Sequence, residues 1–362
     1  MKLPIDLKAV IEAATDIESA RNTPVSVSVL IDDSAPGDVA AHVRSAFVGA
    51  GAHARVTVGY FAGPAFSPYE GDDMAVIVAG FSEEVGRRAA EIRAAGVPVM
   101  VVTSMPRLVA DMASAYGNPI PEGDLVAPEG VEGCEADGDA ACESGDVAGV
   151  NAQSSEILDA PIPIDAAAAA ALDRRMGEWV VAACREKRLA LALSFPFVRR
   201  PLSLEAVSAT SLQNAGIGLV LFIPGADMPL MTLNQAKMLL QIAAAYGEPM
   251  SVARVKELAA IVGGAFACRS VARQVAGAVP AIGCAVKAGV GYAGTKAMGL
   301  AAVEYFERGG NIAGLAGVVS TATAKATQIA GDVAATPAGA RVLSTVKTAV
   351  RQGAASVLKK TE

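Results

Sequence analysis

Histidine, aromatic rings and paired cysteines are scarce in this 362-residue chain, and each scarcity removes a class of chemistry. Histidine occurs twice, at His42 and His53, with none in the second half, and no G-x-S-x-G elbow is present. Serine-nucleophile catalysis is therefore not expected. The five cysteines, at 134, 142, 184, 268 and 284, form no C-x-x-C pair and have no companion histidines, which argues against zinc. Their odd number, and a start that turns charged at Lys2 and Asp6 where a secretory signal needs an apolar run, place the chain in a reducing compartment inside the cell. In apolar helical contexts Cys184 and Cys268 read as packing residues. Aromatic residues make up 4% of a chain that is 52% hydrophobic, so alanine, valine, leucine and glycine carry the apolar content, as suits closely packed helices.

Positive charge is absent from one long segment. Asn118 to Ala160 holds eleven Asp or Glu and no Lys or Arg, so the formal charge of −7 conceals a remainder of +4. No nucleic-acid partner is expected from so weak a positive balance. The same segment is rich in Gly, Pro, Ala and Ser and poor in large apolar residues, so burial cannot offset its ordering entropy. A disordered acidic insertion is expected over 118–163.

What is present first is an alternation of strand and helix. Val25 to Ile31, Val56 to Phe61, Met74 to Val78 and Val97 to Thr103 read as strands, with helices over Asp38 to Ala50 and Glu83 to Ala95. This predicts an α/β domain over 1–117, with a Rossmann-like, three-layer parallel sheet. A short amphipathic helix from Ile5 to Ala20 precedes it. Asp165 reads as the N-cap of a helix running through Trp179 towards Lys187. Beyond Ser203 the pattern is helical, with breaks at Ile223-Pro224-Gly225, Tyr246-Gly247, Val279-Pro280 and Gly309-Gly310. Thr232-Leu233-Asn234-Gln235 has the form of a capping box. An all-α, glycine- and alanine-rich domain is expected over 164–310, followed by an amphipathic helical tail over 311–362.

A P-loop would fall after the first strand. The sequence there is Asp32-Asp33-Ser34-Ala35-Pro36-Gly37-Asp38, which has no phosphate lysine and sets carboxylates where a phosphate would sit. Val102-Thr103-Ser104-Met105 stands where N-K-x-D would be expected. Asp32 and Asp33 lie at the carboxyl end of a strand, where a metal or ligand role is conceivable, although capping of the next helix explains them more simply. Thr103 and Ser104 would suit a receiver-like pocket, but the lysine of a fifth strand is missing. Asp227, framed by Pro224 and Pro229, reads as a cap or turn former before it reads as a catalytic acid. No catalytic, cofactor-binding or metal-ligating residue is assigned.

From Ala259 to Phe306 eight glycines recur among alanines and valines, the small-residue pattern of membrane helix contacts, but Arg269, Arg273, Lys287 and Lys296 interrupt every span. Two readings stay open: a hairpin buried in a soluble bundle, or a membrane-inserting hairpin whose lysines snorkel or pair. Arg269 and Arg273, four apart on one helical face, suit a carboxylate or a lipid headgroup. The stripe Leu343, Val346, Val350 and Val357 beside Arg341, Lys347, Arg351, Lys359 and Lys360 suits anionic lipid and tips the balance towards membrane association.

Glu186-Lys187-Arg188-Leu189-Ala190, Phe195-Pro196-Phe197, the run IPGADMPLMTLNQAKMLLQIAAAYG and the later CRSVARQVAGAVPAIGCAVKAGVGYAGTKAMGLAAVEYF resemble the bacterial domain-of-unknown-function family numbered 697 over residues 186 to 307. Its YcjF-type members are described as membrane-associated and are linked to Era-like or dynamin-like GTPase domains, with no established enzymatic activity. The resemblance implies a helical domain that associates with membrane, joined to a degenerate GTPase-like domain, and offers no catalytic residues to transfer; the expected location is the cytoplasmic side of an inner membrane. The expectation is a non-enzymatic, membrane-associated scaffold or regulator with a GTPase or other protein as partner; the alternative is a soluble pseudo-GTPase or ligand-sensing domain that binds without hydrolysis.

Overall fold

The computed structural model describes residues 7–49, 51, 53–62, 71–128, 161–220, 227–251 and 283–311, with 314, 315, 317, 319 and 321. The elements in chain order are α1 (Leu7–Arg21), β1 (Val25–Ile31), α2 (Gly37–Val48), β2 (Ala54–Tyr60), β3 (Met74–Val78), α3 (Glu84–Ala94), β4 (Val99–Val102) and α4 (Pro106–Ala115). A 3-10 turn at Glu122–Asp124 leads to β5 (Leu125–Val126), and then come α5 (Ala166–Ala183), α6 (Arg188–Ser194), α7 (Pro196–Val220) and α8 (Asp227–Ala245). The described helices end with α9 (Gly283–Glu307). The chain divides into two compact units, Thr23–Pro201 and Met1–Asn22 with Leu202–Glu362.

The first unit is built on a five-stranded sheet in the order β2-β1-β3-β4-β5, every neighbouring pair parallel. All five residues of β3 are fully buried, as expected of a central strand covered on both faces. The strand order reverses between β1 and β3, the flavodoxin-type winding. Right-handed crossovers then place α2 on one face and α3 and α4 on the other. On that second face Leu30, Ile77 and Val101 pack with Val85, Ala89 and Ile92 of α3 and Val109 of α4. His42 of α2 meets Asp173 of α5 at 2.7 Å, and Phe47 of α2 packs edge-on to Phe195 with centroids 4.9 Å apart.

The second unit is helical. α8 is buried almost all round, with Ala236, Met238, Leu239, Leu240 and Ile242 inaccessible, and it packs against α1 and α9. Small residues let the backbones close in: a Cβ on Gly299 would lie 2.4 Å from Val207 Cγ2, and one on Gly291 would lie 3.1 Å from Asn214 O. Gly247 (φ +89°) ends α8 in a Schellman turn, with Glu248 N donating to Ala243 O and Gly247 N to Ala244 O. Arg21, the last residue of α1, donates to the Glu248 and Gly247 carbonyls at 2.6 and 3.2 Å.

The α/β reading of the first half holds, and β1 and β3 have the expected bounds. Three boundaries differ. Residues 118–128, assigned from composition to the acidic insertion, supply the 3-10 turn and β5 of the sheet. α5 and α6 group with the sheet and α1 with the helices, so the expected divisions at 117 and 164 do not match the two units. The capping box at Thr232 is also corrected: α8 begins at Asp227, and Thr232 lies inside it, buried. Residues 129–160 and the tail beyond 321 fall outside the described residues.

Candidate functional site

In a parallel sheet of this winding the crevice for a ligand lies outside the carboxyl ends of β1 and β3. Asp32 stands there, one residue past β1 and 3% exposed. Its Oδ1 accepts from Ser34 N at 3.0 Å and Ser34 Oγ at 2.8 Å; its Oδ2 accepts from Gly80 N at 2.9 Å and Ser82 N at 3.2 Å. Two oxygens with four donors have no lone pair left over, so a cation or phosphoryl group would have to displace the protein's own hydrogen bonds. The Ser34 hydroxyl in turn accepts from Phe81 N at 2.7 Å. Gly80 permits this closure, since a Cβ there would sit 2.3 Å from the backbone carbon of Ser34. The two loops that usually part to admit a ligand are thus stitched together.

The rest of this edge is also tied down. Asp33 Oδ2 accepts from Ala62 N at 2.7 Å, and the Arg88 guanidinium lies 4.4 Å from the ring centre of Phe61. Thr103 Oγ1 accepts from Met105 N at 3.0 Å, while Ser104 Oγ is buried with no hydrogen-bond partner among the described residues. Ile162 N donates to Ser104 O at 3.1 Å and Ile164 N to Asp38 Oδ2 at 3.0 Å, so residues 161–164 cross the ends of β4 and α2 as a strap. Asp165 then caps α5 as expected, accepting from Ala168 N at 2.8 Å. The Ile164 N–H holds the Asp38 carboxyl below its ordinary range.

Sequence reasoning missed a second constellation, at the opposite end of the sheet. Asp72 accepts from Ser26 Oγ at 2.6 Å and from Ser28 Oγ, and Arg55 Nη2 lies 3.4 Å away. Asp73 accepts from Ser26 N at 2.9 Å and pairs with Lys187 Nζ at 2.7 Å. A cleft of about 510 Å³ opens here beside His53, Arg55, Asp73 and Lys187. Its cations face carboxylates within the protein, leaving no net charge to attract an ion. Cys184 lies against Asp73 O at 3.8 Å, and burial, with the Asp73 charge, pushes its thiol up to about 12. It is a packing residue, as the sequence suggests. The available signal was the alternation Val25-Ser26-Val27-Ser28, unusual in a strand buried on both faces, followed by a double aspartate before β3.

The expected site residues are not gathered into one cluster. Asp32 and Asp33 belong to the sheet unit; Asp227 opens α8, Lys287 lies in the first turns of α9, and Lys296 is exposed on α9 with its ammonium 5.8 Å from the Tyr292 ring centre. Arg269 and Arg273 lie outside the described residues. Between α7, α8 and α9 the structure instead buries a polar network: Asn214 Nδ2 and Gln235 Nε2 both donate to Thr295 Oγ1, at 2.9 and 2.8 Å, and Thr295 donates to Gly291 O at 2.7 Å. Asn234 Nδ2 completes it by donating to Asn214 Oδ1 at 3.1 Å. No group of three or more His, Cys, Asp or Glu suited to a metal ion occurs among the described residues.

No protein-family model matches the chain, and neither a curated protein nor a solved structure does so.

Proposed function

We propose that the chain is a non-enzymatic, membrane-associated scaffold or regulatory protein whose sheet unit is a rigid binding body. The observation that carries this reading is the fourfold-satisfied Asp32 carboxylate, which joins the β1 and β3 loops across the usual ligand crevice. A fold held shut at its reactive end suits presentation of a surface to a GTPase or other protein partner better than turnover of a substrate. The helical unit adds support through its glycine-mediated approaches and its buried interhelical polar bonds, both of which membrane helices use to associate. Among the described residues no helix is long and apolar enough to cross a membrane. We place the membrane contact in the basic stripe from Arg341 to Lys360, on the cytoplasmic side of an inner membrane.

Flotation with vesicles tests this. The protein should rise with vesicles containing phosphatidylglycerol, less with pure phosphatidylcholine, and the difference should shrink in high salt. Failure to float with either overturns the membrane reading.

The alternative, a soluble pseudo-GTPase or ligand-sensing domain, draws on the strand reversal between β1 and β3, the place where such folds take ligands. Under that reading GTP, ATP or magnesium should raise the melting temperature; a flat response removes it.

A further inference from the structure

The two outer strands of the sheet are protected very differently. β5 is two residues long and runs into Pro128. β2 is seven residues long, contains no proline or lysine, keeps an unbroken register with β1 from Ala54 to Tyr60, and among the described residues pairs with β1 alone. Val58 and Tyr60 are 37% and 43% exposed, and Arg55 and Thr57 are exposed on the other face. A long, regular edge of this kind is a template for another strand.

The ladder fixes which groups are available. Val25 N donates to His53 O and Phe61 N to Ile31 O, so the odd-numbered residues of β2 bond to β1. Val56, Val58 and Tyr60 therefore turn their N–H and C=O outward. A second β2 laid antiparallel about a two-fold axis at Thr57 sets Val56 of one copy opposite Val58 of the other and Ala54 opposite Tyr60; the Ala54 N–H already donates to Gly51 O at 3.0 Å, so the outer pairs bond through the Ala54 carbonyl and the Tyr60 N–H alone. In this register the outward-facing residues become the hydrogen-bonded pairs, and Thr57 meets its own copy in a non-hydrogen-bonded pair. Charge is compatible with it: Arg55, the one charged residue of the strand, falls opposite Gly59, and its guanidinium lies 3.4 Å from Asp72 of its own chain. No like charges meet across the axis.

We propose that β2 is a self-association surface, to which a second copy of this chain adds its own β2 antiparallel, making one continuous sheet through both subunits. The contact is independent of membrane binding and rests on the sheet unit alone. Light scattering on the full chain over a concentration series should show the mass rising from one chain towards two. Val58→Pro removes an outward N–H and leaves the β1 ladder intact, so it should hold the protein monomeric with unchanged circular dichroism. Thr57→Cys sets two thiols across the axis, where Cα atoms are about 4.5 Å apart, within disulfide reach. Mild oxidation should give a disulfide between two copies through position 57, identified by peptide mapping against the five native cysteines, while Val48→Cys, on an α2 residue that is 68% exposed, gives none through position 48. A wild type that remains one chain up to about 100 µM, a dimer that Val58→Pro leaves intact, or a Thr57→Cys protein that fails to crosslink overturns the proposal. If Val58→Pro does not fold, the crosslinking result decides.

Discussion

Each end of the sheet holds a buried aspartate, and the two are held by different means. At the carboxyl end three of the four donors to Asp32 are backbone N–H groups, held in place by the turns that carry them. At the amino end Asp72 takes two serine hydroxyls and lies beside an arginine, groups on side chains that can rotate. A carboxylate facing fixed donors is hard to replace, because nothing around it can turn to another acceptor. One facing rotatable donors is more forgiving. The ligand end of the fold therefore holds the more rigid closure, which is the reverse of what a binding crevice requires.

The comparison is tested most severely by removing the Asp32 acceptor. Asp32→Ala takes the acceptor from the buried Gly80 amide and from the part-buried Ser34 and Ser82 amides, and should cost about 4 kcal/mol in urea unfolding. A loss below about 1 kcal/mol would mean that water or a neighbouring group replaces the carboxylate readily, and that the crevice is more open than its hydrogen bonds imply.

How much of this was legible in the sequence depends on how local each feature is. β1 and β3 were readable because β-branched and apolar runs of five to seven residues, bounded by polar turns, have few other solutions. β5 was not, because two residues carry no periodicity and Leu125 and Val126 stand in a stretch whose composition argues for disorder. Asp32 was marked as either a ligand site or a helix cap. Pro36, at the N-cap of α2, makes no side-chain cap; the Asp32 carboxylate bonds instead to an amide 48 residues away, a partner that only the strand order supplies. Asp72 was invisible for the same reason, since its serines lie 44 and 46 residues earlier. At Thr232 the local pattern misled, because a capping box needs a free helix end and α8 already runs through it.

Asparagine substitutions sharpen the contrast. In Asp32→Asn one oxygen becomes an amide N–H₂ facing fixed N–H donors, a clash that no rotation relieves, and the expected loss is about 3 kcal/mol. In Asp72→Asn the new N–H₂ can donate to a serine oxygen whose hydroxyl turns aside, and the expected loss is about 1 kcal/mol. Parallel urea titrations of the two variants decide it. Equal losses would show that the distinction between backbone and side-chain donors does not govern these sites.

The smallest effect belongs to Asp38, a surface carboxylate at the same end as Asp32. Its pKa is lowered chiefly by the Ile164 N–H, with burial opposing and the Val39 N–H assisting. A carboxyl depressed on folding stabilises the folded state above its unfolded pKa, about 3.9, and that contribution is lost as pH falls through the lower folded value. Wild-type stability should therefore contain a small component that disappears below about pH 4, and Asp38→Asn should lack it at every pH. Solvent screening keeps this component well under the effect at Asp32. At neutral pH hydrogen exchange at Ile164 should speed up in Asp38→Asn while Gly80, held by Asp32, stays protected. Loss of protection at both amides would mean that the strap and the crevice closure open as one unit, whereas loss at Ile164 alone makes the strap a separate layer over a closure that holds without it.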